Sequence, residues 1–181
     1  MQKIRLDMQL VSRGLSESRS QAQRLIMAGQ VRVNGQVVLK PATPVSPDSA
    51  IQVDAGPRFV SRGGEKLEAA LQVFAIEVSG RVCADVGAST GGFTDCLLQH
   101  GAARVYAIDV GHGILDWRLR QNPAVIVMEE TNARYIERLP DDASLITVDA
   151  SFISLKILLP VIRNWFGENG GEAVLLIKPQ F

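Results

Sequence analysis

The stretch Val82-Cys83-Ala84-Asp85-Val86-Gly87-Ala88-Ser89-Thr90-Gly91-Gly92-Phe93 is an apolar run that passes straight into a glycine-rich turn, and Thr94–Gln99 then reads as a helix. A short buried strand, a turn that needs glycine backbone and a following helix together form the opening half of a strand–helix–strand unit. Further apolar runs follow at Val105–Ile108, Val125–Met128, Leu145–Val148 and Ala173–Ile177, separated by loop or helical segments of which Ser154–Trp165 is the clearest. Short continuous apolar runs joined by crossovers predict an α/β fold, with a parallel sheet covered by helices on its faces. Upstream, Glu65–Phe74 carries Leu67, Ala70, Leu71 and Phe74 at helical spacing.

The N-terminal third reads differently. Leu6, Leu10 and Val11 recur at helical spacing, with Gly14 as a stop. Ser18 and Gln21 form a capping box for a second helix, whose apolar face is Ala22, Leu25 and Ile26 and whose end is Gly29. Val31–Val38 is two β-rich runs around Asn34-Gly35, a type I′ hairpin signal. Pro41, Pro44 and Pro47 mark an irregular stretch before a strand at Ala50–Val53, and Asp54–Pro57 reads as a linker. The expected organisation is a small α+β domain over 1–58 and an α/β domain over 59–181.

Composition agrees with two soluble units. The 181 residues are 46% hydrophobic and 21% charged, which excludes disordered, collagenous and disulfide-scaffold classes. The net charge of zero hides an asymmetry: residues 1–66 hold ten Lys and Arg against five Asp and Glu, and 67–181 hold nine against fourteen. A basic first third and an acidic remainder suggest different partners, although a solvated surface produces the same scatter. Cys83 and Cys96 lie inside regular segments, which favours a reduced, cytoplasmic setting. No apolar signal segment opens the chain, and charges or proline interrupt every long apolar run, so no membrane association is expected. His100 and His112 lie too far from any cysteine pair to suggest a metal. Trp117 and Trp165 are expected in the core, and oligomeric state is not legible.

The glycine turn is neither a Walker A loop, since no Gly-Lys-Ser/Thr follows, nor G-x-G-x-x-G. Its glycines let a ligand approach the backbone and aim helix N–H groups at an anion. The acid in front, Asp85, suits a ligand with an ammonium group as well as a carboxylate, and S-adenosylmethionine has both. Asp109 ends the second strand, where an acid can hold ribose hydroxyls. The candidate cofactor residues are therefore Asp85, Gly87, Ala88, Ser89, Thr90, Gly91, Gly92, Phe93, Asp109 and Val110, together with Asn132 after the third strand and Asp149 after the fourth. A tight turn using glycine for geometry alone is the alternative.

Lys66 opens the helix before the first sheet strand, Asp149 ends the fourth strand and Lys178 the fifth. Ligands bind beyond the carboxyl ends of such strands, so Asp149 and Lys178 project to the edge that holds the glycine loop. A buried lysine flanked by another cation can act as a base, with an acid beside it to orient it. An ordinary strand-end ion pair is the plain alternative.

At this point the residues resemble a family. The second unit is similar to the FtsJ-like ribose 2′-O-methyltransferases, whose active site is a Lys-Asp-Lys-Glu tetrad. Nearly the whole chain resembles the TlyA family of rRNA methyltransferases, often labelled haemolysins. The resemblance rests on Ser61-Arg62-Gly63-Gly64-Glu65-Lys66-Leu67, Asp85 through Asp95, Asp109-Val110-Gly111, Glu130-Thr131-Asn132-Ala133-Arg134, Asp149-Ala150-Ser151-Phe152-Ile153-Ser154 and Ile177-Lys178-Pro179-Gln180-Phe181. It implies a Rossmann-like S-adenosylmethionine-dependent domain. Within it, Lys178 would deprotonate a ribose hydroxyl while Lys66 and Asp149 position and tune it. In the family a glutamate and two more strands follow the last block, so an incomplete sheet and an absent fourth tetrad residue are expected. An inert RNA- and cofactor-binding fragment is therefore the second reading. A membrane-active haemolysin is a third, and the insertion segment it needs is not found.

Residues 3 to about 54 resemble the small α-L RNA-binding domain of a ribosomal protein, pseudouridine synthases and tyrosyl-tRNA synthetases, through Arg5-Leu6-Asp7, Ser18–Ala22 and Gly29–Gly35. That resemblance implies an rRNA or ribosomal-subunit partner. Arg13, Arg19, Arg24, Arg32 and Lys40 are the candidate contacts to RNA phosphates, and the plain alternative is a solubilising face.

Overall fold

The computed structural model describes residues 3–178 except Ala55 and Phe152. Phe152 and Pro179-Gln180-Phe181, which belong to two of the quoted motifs, lie outside the described residues. The chain separates into two compact units, Met1–Gly56 and Pro57–Phe181.

In the first unit, β1 (Ile4–Arg5) leads into α1 (Leu6–Ser12) and α2 (Arg19–Met27). Then come β2 (Val31–Val33), β3 (Gln36–Val37), β4 (Pro44–Val45) and β5 (Ile51–Val53). Leu6, Leu10, Ala22, Ile26, Val31 and Val45 form its core. Ser18 Oγ caps α2 by accepting from Gln21 N at 3.3 Å, but the Gln21 side chain returns to Glu17 N at 2.9 Å, one residue earlier than a capping box requires. Asn34 and Gly35 take φ values of +50° and +82°, the pair of left-handed residues that a type I′ hairpin needs. The proline stretch is not wholly irregular: β4 pairs antiparallel with β1. Two-residue pairing carries no periodicity to read, and Pro44 lacks an N–H, a combination tolerated at a sheet edge.

The second unit opens with α3 (Gly63–Val73), followed by β6 (Val82–Val86), α4 (Gly92–Gln99), β7 (Arg104–Ile108), α5 (Trp117–Arg120) and β8 (Val125–Met128). It continues with β9 (Leu145–Val148), α6 (Leu155–Ile162) and β10 (Glu172–Leu175). The five strands form one parallel sheet in the order β10-β9-β6-β7-β8. This is the α/β reading made from the apolar runs.

Alternation along the strands divides the core. Cys83, Val105 and Leu145 pack with Leu67, Leu71, Phe93 and Leu97 from α3 and α4. Ala84, Val86, Tyr106, Ile108, Ile146 and Val148 pack with Leu158 and Ile162 of α6 and with Trp165. Trp165 is buried as expected, its Nε1 donating to the Ile136 carbonyl at 2.9 Å. Trp117 is not core but 65% exposed, because Leu115 and Leu119 fill the space under α5 instead. Among the described residues no helix is long and apolar enough to cross a membrane.

From β6 the chain runs outward through β7 to β8, then returns to β9 on the other side of β6. Beyond the carboxyl ends of β6 and β9 the sheet therefore has its topological switch point, where doubly wound sheets bind ligands.

Candidate active site

At the end of β6, Gly87 turns with φ +85°, and the N–H groups of Gly87 and Ala88 both donate to the Ile108 carbonyl. A Cβ at Gly87 would stand 2.9 Å from the Asp149 carbonyl oxygen, so the chain leaving β9 passes directly against the loop. A Cβ at Gly92 would stand 2.9 Å from the Gly64 nitrogen. Glycines at both positions let α3 and α4 begin side by side and bring Lys66 to the glycine loop. Gly91, at φ +95°, is the N-cap of α4 and has no side-chain cap of its own.

Two clefts open there. The larger, about 690 Å³, is lined by Ser61, Arg62, Gly63, Glu65, Lys66, Gly87, Ala88, Ser89, Thr90, Gly92, Phe93 and Asp149. The smaller, about 420 Å³, has Gly87, Ser89, Asp109, Val110, Asn132, Asp149 and Ser151 among its lining residues. Asp149 belongs to both. Among the described lining residues of the smaller cleft there is no cation, only the two carboxylates Asp109 and Asp149.

Lys178 Nζ lies 2.6 Å from Asp149 Oδ1 and donates to Ser151 Oγ at 2.8 Å and to the Asp149 carbonyl at 3.3 Å. The expected lysine flanked by a second cation is thus not what forms. The immediate partners of Lys178 are a carboxylate, a hydroxyl and a carbonyl, and Lys66 stands exposed in the larger cleft. The acid beside the lysine is the strand-end pairing expected of Asp149 and Lys178.

Asp109 accepts from Ser89 N through Oδ2 and from Gly111 N through Oδ1, both at 2.8 Å, which locks the glycine loop to the end of β7. Asn132 accepts from Arg134 N at 3.1 Å and so caps the short turn after β8 while facing the smaller cleft.

Asp85 departs from its expected place. It is fully buried beneath the loop and lines neither cleft. It shares the sheet face of Thr147 and accepts from Thr94 Oγ1 at 2.7 Å and Thr147 Oγ1 at 3.2 Å. Burial pushes its carboxyl up to about 6, with the two hydroxyls opposing. Strand alternation explains the discrepancy: Asp85 lies two residues before the loop, on the face covered by α4. Cys83 and Cys96 are buried thiols pushed up to about 12, which makes them inert.

Two residues with clear roles in the geometry were missed by the sequence reading. Ser151 holds Lys178, and its only signal was a place in a motif. Glu129, at the end of β8, gathers the loop after β7. It accepts from Gly113, Ile114 and Leu115 N–H groups at 2.8, 3.0 and 3.2 Å and pairs with Arg120. The Arg120 guanidinium is the largest cause holding its carboxyl down at about 2.

In the N-terminal unit the five candidate cations are not equivalent. Arg13 donates to backbone carbonyls of Ser49 and Pro47. Arg19 donates to the buried Asp7 at 3.0 Å, and Arg32 pairs with Asp54 at 2.8 Å. Arg24 and Lys40 are exposed, and neither has an ion-pair or side-chain hydrogen-bond partner among the described residues. Three of the five cations thus serve the fold of the unit, which charge counting does not reveal.

The FtsJ-like methyltransferase family profile matches residues 59–181, which hold both clefts. The chain belongs to that family. An S4-domain profile matches residues 4–51, the basic unit that precedes the FtsJ-like one. The chain is 47% identical to Bacillus subtilis YqxC over 186 residues, covering 99% of this chain and 65% of the relative. It is 49% identical over 183 residues to the Mycobacterium tuberculosis protein named 16S/23S rRNA (cytidine-2′-O)-methyltransferase TlyA, again 99% of this chain and 68% of the relative. A solved structure from Streptococcus thermophilus, titled a hemolysin, superposes with a TM-score of 0.67 at 44% identity, over 100% of this chain and 68% of that one. The FtsJ-like chain thus spans about two thirds of the length of these relatives.

Proposed function

We infer that this chain is an S-adenosylmethionine-dependent RNA methyltransferase unit that modifies a ribose 2′-hydroxyl of rRNA. The carrying observation is that Asp149 lies between two clefts of opposite character. The smaller has only carboxylates for charge, which suits a sulfonium- and ammonium-bearing cofactor and its ribose diol, and its backbone floor at Gly87 leaves no room for a side chain. The larger holds Arg62 and Lys66, cations suited to a polyanionic acceptor. The rRNA substrate in the name of the M. tuberculosis relative agrees with this reading.

When bound, the cofactor supplies an electrophilic methyl group. Asp109 would hold its ribose hydroxyls, with Val110 and Asn132 at the base. The backbone of Gly87–Gly92 would take its amino-acid end, with Asp85 supporting that loop from below. Lys178 Nζ, once it has released a proton of its own to solvent, would take the proton from the acceptor hydroxyl, with Asp149 and Ser151 aiming that nitrogen and Lys66 steadying the acceptor from the larger cleft. Alignment of the two reactants supplies most of the remaining acceleration. In the S4 unit, Arg24 and Lys40 are the cations best placed for RNA phosphates, and rRNA within a ribosomal subunit is the proposed partner.

The test is calorimetric titration of the chain with S-adenosylmethionine, using Asp109→Ala as control, followed by tritiated methyl transfer to rRNA. Micromolar binding removed by the substitution supports the cofactor site, and ribose-linked label in the RNA supports the reaction. A folded chain that binds no cofactor overturns the reading. Binding without transfer leaves the chain as an RNA- and cofactor-binding unit.

A further inference from the structure

We propose that Glu129 is a positioning residue for the cofactor, holding the segment Gly111–Leu115 and through it the Asp109–Val110 wall of the smaller cleft; this rests on the cofactor reading of that cleft. Glu129 lines neither cleft, and its side chain is only 11% exposed. Both carboxylate oxygens face inward to one loop: Oε2 accepts from Gly113, and Oε1 from Ile114 and Leu115. Arg120 pairs with the same Oε1 and donates to the Leu115 carbonyl at 3.0 Å, so the last residue of α5 is tied into the arrangement.

That loop leads directly out of the cleft wall. Val110 lines the smaller cleft and is 69% exposed, an apolar side chain with little packing of its own. Its position is set by neighbours on both sides. Upstream, Asp109 is tied to Ser89 and Gly111. Downstream, the Glu130 nitrogen donates to the Gly111 carbonyl at 3.0 Å, and the Asp116 nitrogen to the Thr90 carbonyl at 3.2 Å. Between these anchors the three amides of Gly113–Leu115 have Glu129 as their acceptor. Charge-assisted bonds to several backbone donors at once are the strong kind, and a neutral side chain does not replace them. In Glu129→Gln one amide oxygen must serve three donors, and the new NH₂ faces the N–H groups.

The experiment compares the wild-type chain with Glu129→Ala, Glu129→Gln, Val110→Gly and the Glu129→Ala/Val110→Gly double variant. S-adenosylmethionine affinity is read by calorimetry, and amide exchange is followed by mass spectrometry. Glu129→Ala should weaken cofactor binding at least tenfold, with faster exchange confined to residues 110–116. The double variant should be little weaker than the weaker single one, since both act through the same wall. Multiplicative losses, or exchange in 110–116 unchanged from wild type, overturn the proposal. A wild-type chain that binds no cofactor removes the cofactor reading instead, and the exchange comparison then judges the tie from Glu129 to the loop by itself.

Discussion

Asp149 faces two clefts at once while its Oδ1 stands 2.6 Å from Lys178 Nζ. A carboxylate in that place cannot serve one cleft without constraining the other. It fixes the direction of the lysine and forms the partition across which a methyl group would pass. Glycine at position 87 is what allows this, because the Asp149 carbonyl occupies the space that a side chain there would need.

Lys178→Ala is expected to lower kcat for methyl transfer by roughly 100-fold or more, the usual contribution of a positioned base. Cofactor affinity should stay within a few-fold, since Lys178 is absent from the lining of the smaller cleft. Single-turnover assays beside calorimetry separate the two quantities. Unchanged turnover would remove Lys178 from the reaction.

Asp85 gives a signed pH prediction. Its carboxyl titrates near about 6 in the folded chain, against 3.8 when exposed. Between those values the folded state holds the extra proton, so this group's contribution to stability falls as pH rises from about 4 and levels off above about 7. Asp85→Asn does not titrate. Its unfolding free energy relative to wild type should therefore improve by up to about 3 kcal/mol between pH 4 and pH 7. Denaturant melts at the two pH values measure the difference, and a constant offset between the proteins would contradict it.

The glycines at the start of α4 can be tested sterically. A Cβ at position 92 would lie 2.3 Å from Ser61 Oγ and 2.9 Å from the Gly64 nitrogen, so Gly92→Ala must push two helices apart. A loss of about 2 kcal/mol and much weaker cofactor binding are expected. Gly113→Ala is the control: its φ is +68° with nothing within 4 Å, and only about 1 kcal/mol should be lost. Equal losses in stability at both positions would show that backbone conformation, not the approach of α3 to α4, governs the site.

How much of this was legible follows from where each signal lives. Strand and helix periodicity located all five sheet strands and the main helices, because buried parallel strands write continuous apolar runs such as Val82–Val86 and Leu145–Val148. The glycine loop and Asp109 were legible because turn chemistry is local. Asp85 was misplaced because its acid type suggested a ligand, whereas its strand parity put it beneath α4. That Asp149 and Lys178 meet was legible, because both end strands of one parallel sheet, whereas Ser151 beside Lys178 and the Glu129 loop tie involve residues up to 27 apart whose meeting depends on strand order and not on local pattern. The pairing of β1 with β4 was lost because two residues cannot display a period.

The N-terminal cations separate into those with partners inside the unit and those without, and RNA binding can tell them apart. Arg24→Ala and Lys40→Ala remove exposed cations, so each should reduce the salt slope of rRNA binding by about 0.7–0.9 for every phosphate the side chain neutralises, without altering unfolding. Arg19→Ala should behave differently. Asp7 is fully buried and accepts from Arg5, Arg19 and Gln23, and the Arg5 guanidinium is the main cause holding its carboxyl well below the usual carboxylate range. Removing Arg19 takes away one of several donors, half-exposed to solvent, so the loss of stability should be about 1 kcal/mol. A depressed carboxylate stabilises the fold above its unfolded pKa and loses that contribution as pH falls. With its carboxyl held that far down, Asp7 stays ionised in the folded chain at pH 3, so the Arg19→Ala deficit should be about the same at pH 7 and pH 3. Filter binding across a salt series, with denaturant melts at pH 7 and pH 3, supplies both readings. If Arg19→Ala flattened the salt slope as much as Arg24→Ala while leaving stability unchanged, Arg19 would belong to the RNA surface and the division would fail.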